Sequence, residues 1–535
     1  MERLWLANGR IADGTGSAAY KGGLLIGGDR IIQVGGEKPA GEVREIDCGG
    51  SLIAPGFIDI HSHLDWFTGN EGSRDLILPF LKQGITTAVG GNCGFSVFGF
   101  PPEHPYRELL ANNIFRSGRA SLEWNILPEF EEHLKKNGTP LNLVSYVGHG
   151  TTRTSLKGYD PAELSEKELR GMLDLMDSSL KDGAAGISMG LQYEPGIFAD
   201  RKEMTAMAEL AASHKKILAV HSRAASAVSG TYPMKPFGRP HHLLAIEDMI
   251  SLAEQTGVRL QFSHLIFVGT RSWKTAGKAF RLFEEAVQRG VDIAFDTYGY
   301  SLGASRINVI LPEWFLTDLK GNLKNKKALR RLRLEIAAMQ MILGFGYDQI
   351  RVTNTVDPAW EEFNGLTVTE IALRRRTGRF ETLCDLIRVS GGTANVLMER
   401  YSSPEILEQM IAHPLSLYQT DAWAEREGIN NPAIYGSLPR ILRLSREKNL
   451  QTAEQAIRKM TGAAADRVGL TDRGYLKEGY FADITVLDET AVSERTGAAG
   501  EPLPPEGIHR VFVNGRETVG PDGAGENAPG RFLRI

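Results

Sequence analysis

The chain has 535 residues, 42% of them hydrophobic and 24% charged, with a formal net charge of −4. That is the composition of a globular protein large enough for a sizeable core and a satellite domain. A slightly acidic balance without a clustered Lys/Arg stripe argues against nucleic-acid binding, and the lack of any run of 18 apolar residues argues against a membrane span.

Three cysteines (Cys48, Cys93 and Cys384) at irregular spacing give no disulfide framework and predict a reducing, cytoplasmic setting. The opening "MERLWLANGRIADGTG" has no long apolar segment and reads as strand and turn. Residues 1–54, with "GGLLIGGDRIIQVGG", carry short strands and turn signals, and so predict an all-β unit.

From residue 55 to 425 one pattern recurs: a short apolar run ends in a polar or glycine-rich cluster, and a helix-period segment usually follows. The runs are "GFIDIHSH" (56–63), "GITTAVGGNCG" (84–94), "NLVSYVGHG" (142–150), "AAGISMGLQY" (184–193), "KILAVHSR" (216–223), "RLQFSHL" (259–265), "VDIAFDTYGY" (291–300) and "LSLYQTDA" (415–422). Between them, 161–183, "DRKEMTAMAELAASHKK" and "AIEDMISLAEQTG" read as helices, the first with a start signal at Ser165. Buried strands alternating with helices imply a parallel sheet covered on both faces. Eight such units predict an α/β fold of the (β/α)8 TIM barrel type, with an open doubly wound sheet as the competing architecture. The barrel is favoured because polar residues fall at the carboxyl end of nearly every strand: His61, His63, Cys93, His149, Tyr193, His221, Arg223, His264, Asp296 and Asp421. In a closed barrel those ends surround one mouth.

Three segments depart from the repeat. Residues 224–242 form a long Gly/Pro/Ser-rich loop, with His241 and His242 read as solvent-exposed. Residues about 301–415 are too long for one crossover and predict a subdomain inserted between strands seven and eight, containing the basic helix "KNKKALRRLRLEIAAMQMILG". Residues 473–516 again read as strands, apart from "GAAGEPLPPEG", which reads as a loop. The simplest domain plan is a small β-sandwich formed by 1–54 and 470–535 beside a barrel of 55–469.

Residues i and i+2 of a strand face the same way, so His61 and His63 both point toward the mouth. An isolated HxH is weak evidence, and His221 or His264 alone is more often a hydrogen-bonded core histidine than a ligand. Together, at strand ends that share one mouth, one or two metal ions would satisfy all four. Cys93 alone could be core filling, a nucleophile or a ligand. Asp421 reads either as a helix cap or as a general base beside metal-activated water. Asp296 reads either as a supporting partner or as a cap.

"APGFIDIHSHLDW", with the histidines of strands five and six and "TDA" on strand eight, resembles the amidohydrolase superfamily. "NGRIADGTG", "GGNCGFS", "VGHGTTR", "GISMGLQYEPG", "FSHL", "YGSLPRILR", "KMTGAAADRVGLTDRGYLKEGYFADITVLD" and "VFVNGR" resemble the N-acyl-D-amino-acid deacylases (D-aminoacylases) over nearly the whole chain. The resemblance implies a zinc-dependent hydrolase of a C–N bond, with one or two ions held by His61, His63, Cys93, His221 and His264, and Asp421 as catalytic acid/base. Many amidohydrolases bridge two metals with a strand-four lysine. Here "ISMGLQY" has none, and the resemblance gives that place to Cys93, whose thiolate is a strong zinc ligand.

Substrate recognition departs from the resemblance. The lysine two residues after the strand-six histidine is Ile266, and the arginine of "HPR" is Ala433, in "NNPAIYGSLPR". A bidentate guanidinium is the natural carboxylate clamp, which neither residue replaces. Arg223, Arg239 or Arg426 are candidates to compensate. Tyr193, Arg223, Tyr298 (or Tyr300) and Trp423 are candidate substrate contacts. The expected substrate is a small-molecule amide. A cyclic amide or imide hydrolase is the alternative, with a deaminase and a non-catalytic scaffold ranked below it.

Overall fold

The computed structural model describes residues 3–111, 122–233, 238–344, 346–497 and 501–535. Eight short parallel strands occupy the middle of the chain: β1 (Phe57–Asp59), β2 (Ile85–Gly90), β3 (Asn142–Ser145, resumed at Val147–Gly148), β4 (Gly186–Gly190), β5 (Ile217–His221), β6 (Arg259–Phe262), β7 (Ile293–Thr297) and β8 (Ser416–Tyr418). They pair in two arcs. β1, β2 and the first half of β3 form one, and the second half of β3 continues through β4, β5, β6, β7 and β8 in chain order. The break in β3 falls at Tyr146, whose N–H bonds the Gly90 carbonyl at 3.1 Å. Where the arcs meet again, the Asp421 N–H donates to the His61 carbonyl (3.0 Å) and the His63 N–H to the Ala422 carbonyl (3.2 Å).

These strands are buried almost throughout, which is why they read as continuous apolar runs rather than alternating ones. Helices cover them, among them Glu166–Lys181, Arg201–Ser213 and Ala276–Gln288. The signal at Ser165 is a capping box: its hydroxyl accepts from the Glu168 N–H (3.3 Å) and the Glu168 carboxylate accepts from the Ser165 N–H (2.7 Å).

Both chain ends build one sheet, nine-stranded among the described residues. Its seam is the antiparallel pair Leu52–Pro55 with Ile484–Leu487. Leu6, Ile11, Leu24, Ile31, Ile484 and Phe512 form a core of its own. The hairpin between Ile508–Val513 and Arg516–Gly520 turns at Asn514–Gly515, φ 47° and 75°, the left-handed pair a tight hairpin requires. "GAAGEPLPPEG" is not all loop. Residues 498–500 lie outside the described set, but Pro502–Glu506 pairs with Ser493–Thr496. A two-stranded ribbon has two free edges, so a proline's missing N–H need not interrupt the ladder.

Between β7 and β8, strands Gly303–Arg306, Ile350–Asn354 and Asn395–Met398 form a three-stranded antiparallel sheet. Phe315, Leu332, Val352, Ile371, Leu383 and Met398 belong to its separate core. The basic segment is the helix Lys326–Leu343, capped by Asn325, and it buries Ala328, Leu332 and Ile336 at i, i+4, i+8. No helix among the described residues is long and apolar enough to cross a membrane.

His241 and His242 differ from expectation. They are the first residues of the helix His241–Thr256 and are 6% and 2% exposed; residues 234–237 of that loop lie outside the described set. Local bonds compensate their burial: His241 Nδ1 accepts the Ser229 N–H at 2.9 Å, and His242 Nε2 lies 2.8 Å from Thr275 Oγ1. Burial pushes His242 down to about 4, whereas an unfolded histidine titrates near 6.5. The unfolded chain therefore binds the extra proton first as pH falls, and stability is lost from about pH 6.5 down to about 4, by at most about 3 kcal/mol. Urea melts at pH 7 and pH 4.5 should show His242→Gln losing less on acidification than the parent. Equal losses would remove His242 from the acid transition.

Candidate metal centre

His61 and His63 lie just past β1 and are fully buried. Asp59 anchors them: its carboxylate accepts from the Thr420 N–H (3.0 Å) and hydroxyl (2.5 Å), beside the His61 N–H (3.3 Å). Burial pushes Asp59 up to about 7 in spite of these bonds.

Cys93 leaves β2 through a tight turn. Gly91, Cys93 and Gly94 have φ of 69°, 56° and 82°, a left-handed conformation that costs a cysteine energy and is held by its surroundings. Asp65 accepts the Gly91 N–H (3.0 Å), the Asn92 amide donates to the Val89 carbonyl (2.8 Å), and the Gly94 N–H donates to Ser188 Oγ (3.0 Å). β4 can approach this turn only because residue 190 is glycine, since a Cβ there would sit 2.2 Å from the Cys93 carbonyl oxygen. Thus "GGNCG" and "ISMG" are two halves of one close contact.

The Cys93 sulfur is ringed by imidazoles: His61 Nε2 at 3.4 Å, His264 Nε2 at 3.4 Å and His221 Nδ1 at 3.7 Å. His221 and His264 face each other at 2.8 Å (Nδ1 to Nε2). His221 Nε2 lies 3.0 Å from the Gln192 amide oxygen, which accepts a hydrogen bond from Nε2–H and leaves Nδ1 as a bare lone pair. His264, at φ 30°, donates its N–H to Asp296 at 2.6 Å. Asp421, at φ 47°, places Oδ1 3.5 Å from His61 Nε2 and 3.4 Å from His63 Nε2. Ligand atoms of His61, Cys93, His264 and Asp421 all lie within 4.8 Å of one another.

A cation fits this donor set. One thiol has a single proton and cannot bond three ring nitrogens. Tetrahedral ligands at zinc bond lengths stand about 3.4 Å apart, the separation found between the sulfur and two of the imidazoles. The charges agree. Burial opposes ionisation of Cys93, yet His61 and His264, with bonds to His221 and His264, hold the thiol well below its ordinary range. Burial likewise opposes ionisation of Asp421, and the charges of His264 and His61, with the bond from His63, bring it below the ordinary carboxylate value.

The remaining expected residues divide. Tyr193 belongs to the centre, its hydroxyl 3.4 Å from His221 Nδ1 and donating to the Cys93 carbonyl at 3.2 Å. Burial, reinforced by the Cys93 charge, raises its phenol well above the usual value. Tyr298 is buried within electrostatic reach of Asp421, whereas Tyr300 stacks under Arg440. The Trp423 ring stands edge-on to His63, centroids 6.1 Å apart. Arg223 turns to the carbonyls of Ile197 (3.0 Å) and Ala199, Arg239 pairs with Glu247, and Arg426 bonds the Gly72 carbonyl (2.8 Å). His149 is engaged by Glu203 at 2.5 Å, away from the sulfur. Asp296 is a supporting partner rather than a cap, bonding the His264 N–H, Gln261 (2.7 Å) and Gln419 (3.2 Å), with His61 Nδ1 at 3.5 Å. Gln192, Asp59 and Asp65 were not singled out by sequence reasoning. Only their proximity to "HSH" and "GLQY" could have flagged them.

Buried imidazoles, a thiol and a carboxylate at the carboxyl ends of parallel strands make a donor set that suits a metal ion. Residues 409–519 match the amidohydrolase family. A D-aminoacylase of Alcaligenes xylosoxydans xylosoxydans is 26% identical over 96% of this chain and 93% of its own length, and an N-acyl-D-glutamate deacylase of the same organism is 29% identical over 99% and 96%. A D-aminoacylase crystal structure superposes with a TM-score of 0.81 at 25% identity, covering 99% of each chain. N-acyl-D-glutamate deacylase from Bordetella bronchiseptica, complexed with zinc and a phosphonate inhibitor, gives 0.80 at 26%, also covering 99% of each. The chain is a hydrolase of carbon–nitrogen bonds other than peptide bonds, similar over nearly its whole length to D-aminoacylases and N-acyl-D-amino-acid deacylases.

Proposed function

We propose that this protein is a zinc-dependent amidohydrolase that removes the acyl group from a small N-acylated amino compound. The observation that carries this reading is the Cys93 sulfur ringed by three imidazole nitrogens at 3.4–3.7 Å. His61, His63, Cys93, His221 and His264 would hold one or two ions, with Cys93 placed between the His61 side and the His221/His264 side. Zinc bound there supplies Lewis acidity to a carbonyl oxygen and brings the pKa of a bound water to roughly 7.

The chain's own residues do the rest. Asp421, held ionised, takes a proton at its carboxylate and delivers it to the departing nitrogen. His63 Nε2 lies beside the acceptor oxygen at 3.4 Å. Gln192 fixes the orientation of the His221 ring, and Asp296 holds the backbone of His264. Tyr193 keeps its phenolic proton and can donate it to the substrate carbonyl, and Tyr298 and Trp423 wall the site. The bonds of Arg223 assign it to the 196–199 turn.

The two arcs of strands support a single (β/α)8 barrel over 55–469, carrying about 301–415 as an insertion. Residues 1–54 and 470–535 would form the β-sandwich domain beside it. Three buried, unpaired thiols suit a reducing cytoplasm. Purified protein is expected to contain one or two zinc ions, to lose hydrolysis on chelation and to regain it with zinc. Protein without zinc, inactive after zinc is added, would sink the reading.

A further inference from the structure

Between the three-stranded sheet of the insertion and the segment after β8 lies a shallow cleft open to solvent. Ser305, Thr353 and Asn395 line one side, and Trp423, Glu425 and Asn431 the other. It adjoins the metal centre through Trp423, which lies against His63 and two residues from Asp421. Among the described lining residues Glu425 alone is charged. Its carboxylate accepts from Trp423 Nε1 (2.9 Å), Asn354 Nδ2 (3.3 Å) and Asn395 Nδ2, and its N–H is held by Asn430 Oδ1 (2.7 Å).

We propose that Glu425 determines specificity: the cleft receives the part of the substrate beyond the scissile amide and selects an end that donates hydrogen bonds, an amide or an ammonium, over a carboxylate. The inference rests on the hydrolase reading and names the substrate class of that site. A carboxylate has about four acceptor positions. Three are used by the amides and the indole, so one remains for a donor. A substrate carboxylate brought here would meet a like charge in a half-dry setting, and the lining offers amides and hydroxyls to balance it, with no guanidinium. Arg306 follows the lining residues Ala304 and Ser305 on the insertion's first strand, and its charge acts on Glu425. Burial raises the Glu425 carboxyl, opposed by these bonds and by Arg306. Asn431, also in the lining, presents a neutral amide rather than a cation.

The test compares kcat/KM of the zinc-loaded protein for an N-acetyl-D-amino acid, its primary amide and an N-acetylated diamine. Amide or diamine should exceed the free acid at least about tenfold. Glu425→Gln should shrink that ratio about tenfold, mainly through KM for the acid, with zinc content unchanged. Preference for the free acid, or an unchanged ratio in folded, zinc-loaded Glu425→Gln, overturns the proposal. Should no substrate be cleaved by zinc-loaded protein, the hydrolase reading fails separately. Calorimetric binding of the amino-acid amide against the free amino acid then judges Glu425 by itself, tighter binding of the acid overturning it. If Glu425→Gln does not fold, the parent's own ratio decides.

Discussion

Cys93→Ala should leave the fold intact and lower metal affinity more than about a hundredfold, beyond the 10–100-fold cost of losing a mere supporting partner of a ligand. The sulfur lies within 3.7 Å of ring nitrogens of His61, His221 and His264 together, so its loss removes an element common to both sides of the centre. Alanine at φ 56° is no more strained than cysteine there, and the turn retains its bonds through Asp65, Asn92 and Ser188. Metal analysis after dialysis against a competing chelator reads the result, and hydrolysis should fall with occupancy. Zinc content equal to the parent's would return Cys93 to the role of a buried core thiol.

Asp421→Asn should reduce kcat by about 10²–10⁴-fold, the usual worth of a positioned acid/base, while zinc content and thermal stability stay near those of the parent. Asparagine is the informative substitution because it tolerates the left-handed backbone at residue 421 and keeps an oxygen toward His63. It cannot carry the proton. Steady-state kinetics with zinc-saturated enzyme separates the outcomes: a variant retaining more than about a tenth of parental kcat would exclude Asp421 from proton transfer.

Much of this site was legible in the sequence because it depends on period and position. "HSH" at i, i+2 and histidines closing two further apolar runs put four imidazoles at strand ends, where the structure finds them. Cys93 was legible as a position only. Its aim is set by a left-handed turn and by Gly190 one hundred residues away, and neither leaves a periodic trace. The supports were harder still. Gln192 and Asp296 act through single hydrogen bonds to ring or backbone nitrogens, and an isolated glutamine or aspartate at a strand end looks the same whether it caps, supports or faces water. His241 and His242 were misplaced because the Gly/Pro-rich stretch before them reads as loop, while burial there depends on Ser229 and Thr275. Glu425 sits in the charged run "ERE", which carries no periodic sign that the insertion packs against it.

Among the described residues no ladder pairs β1 with β8. They are fastened by Asp59 to Thr420, 361 positions apart, and by the backbone bonds of His61 and Asp421. The clasp between the first and last strands is thus made of the proposed site residues His61 and Asp421 and their immediate neighbours. On the proposed roles, a chain still emerging from the ribosome carries all five ligands once its sixth strand is made and lacks only its acid/base, Asp421, until the eighth arrives.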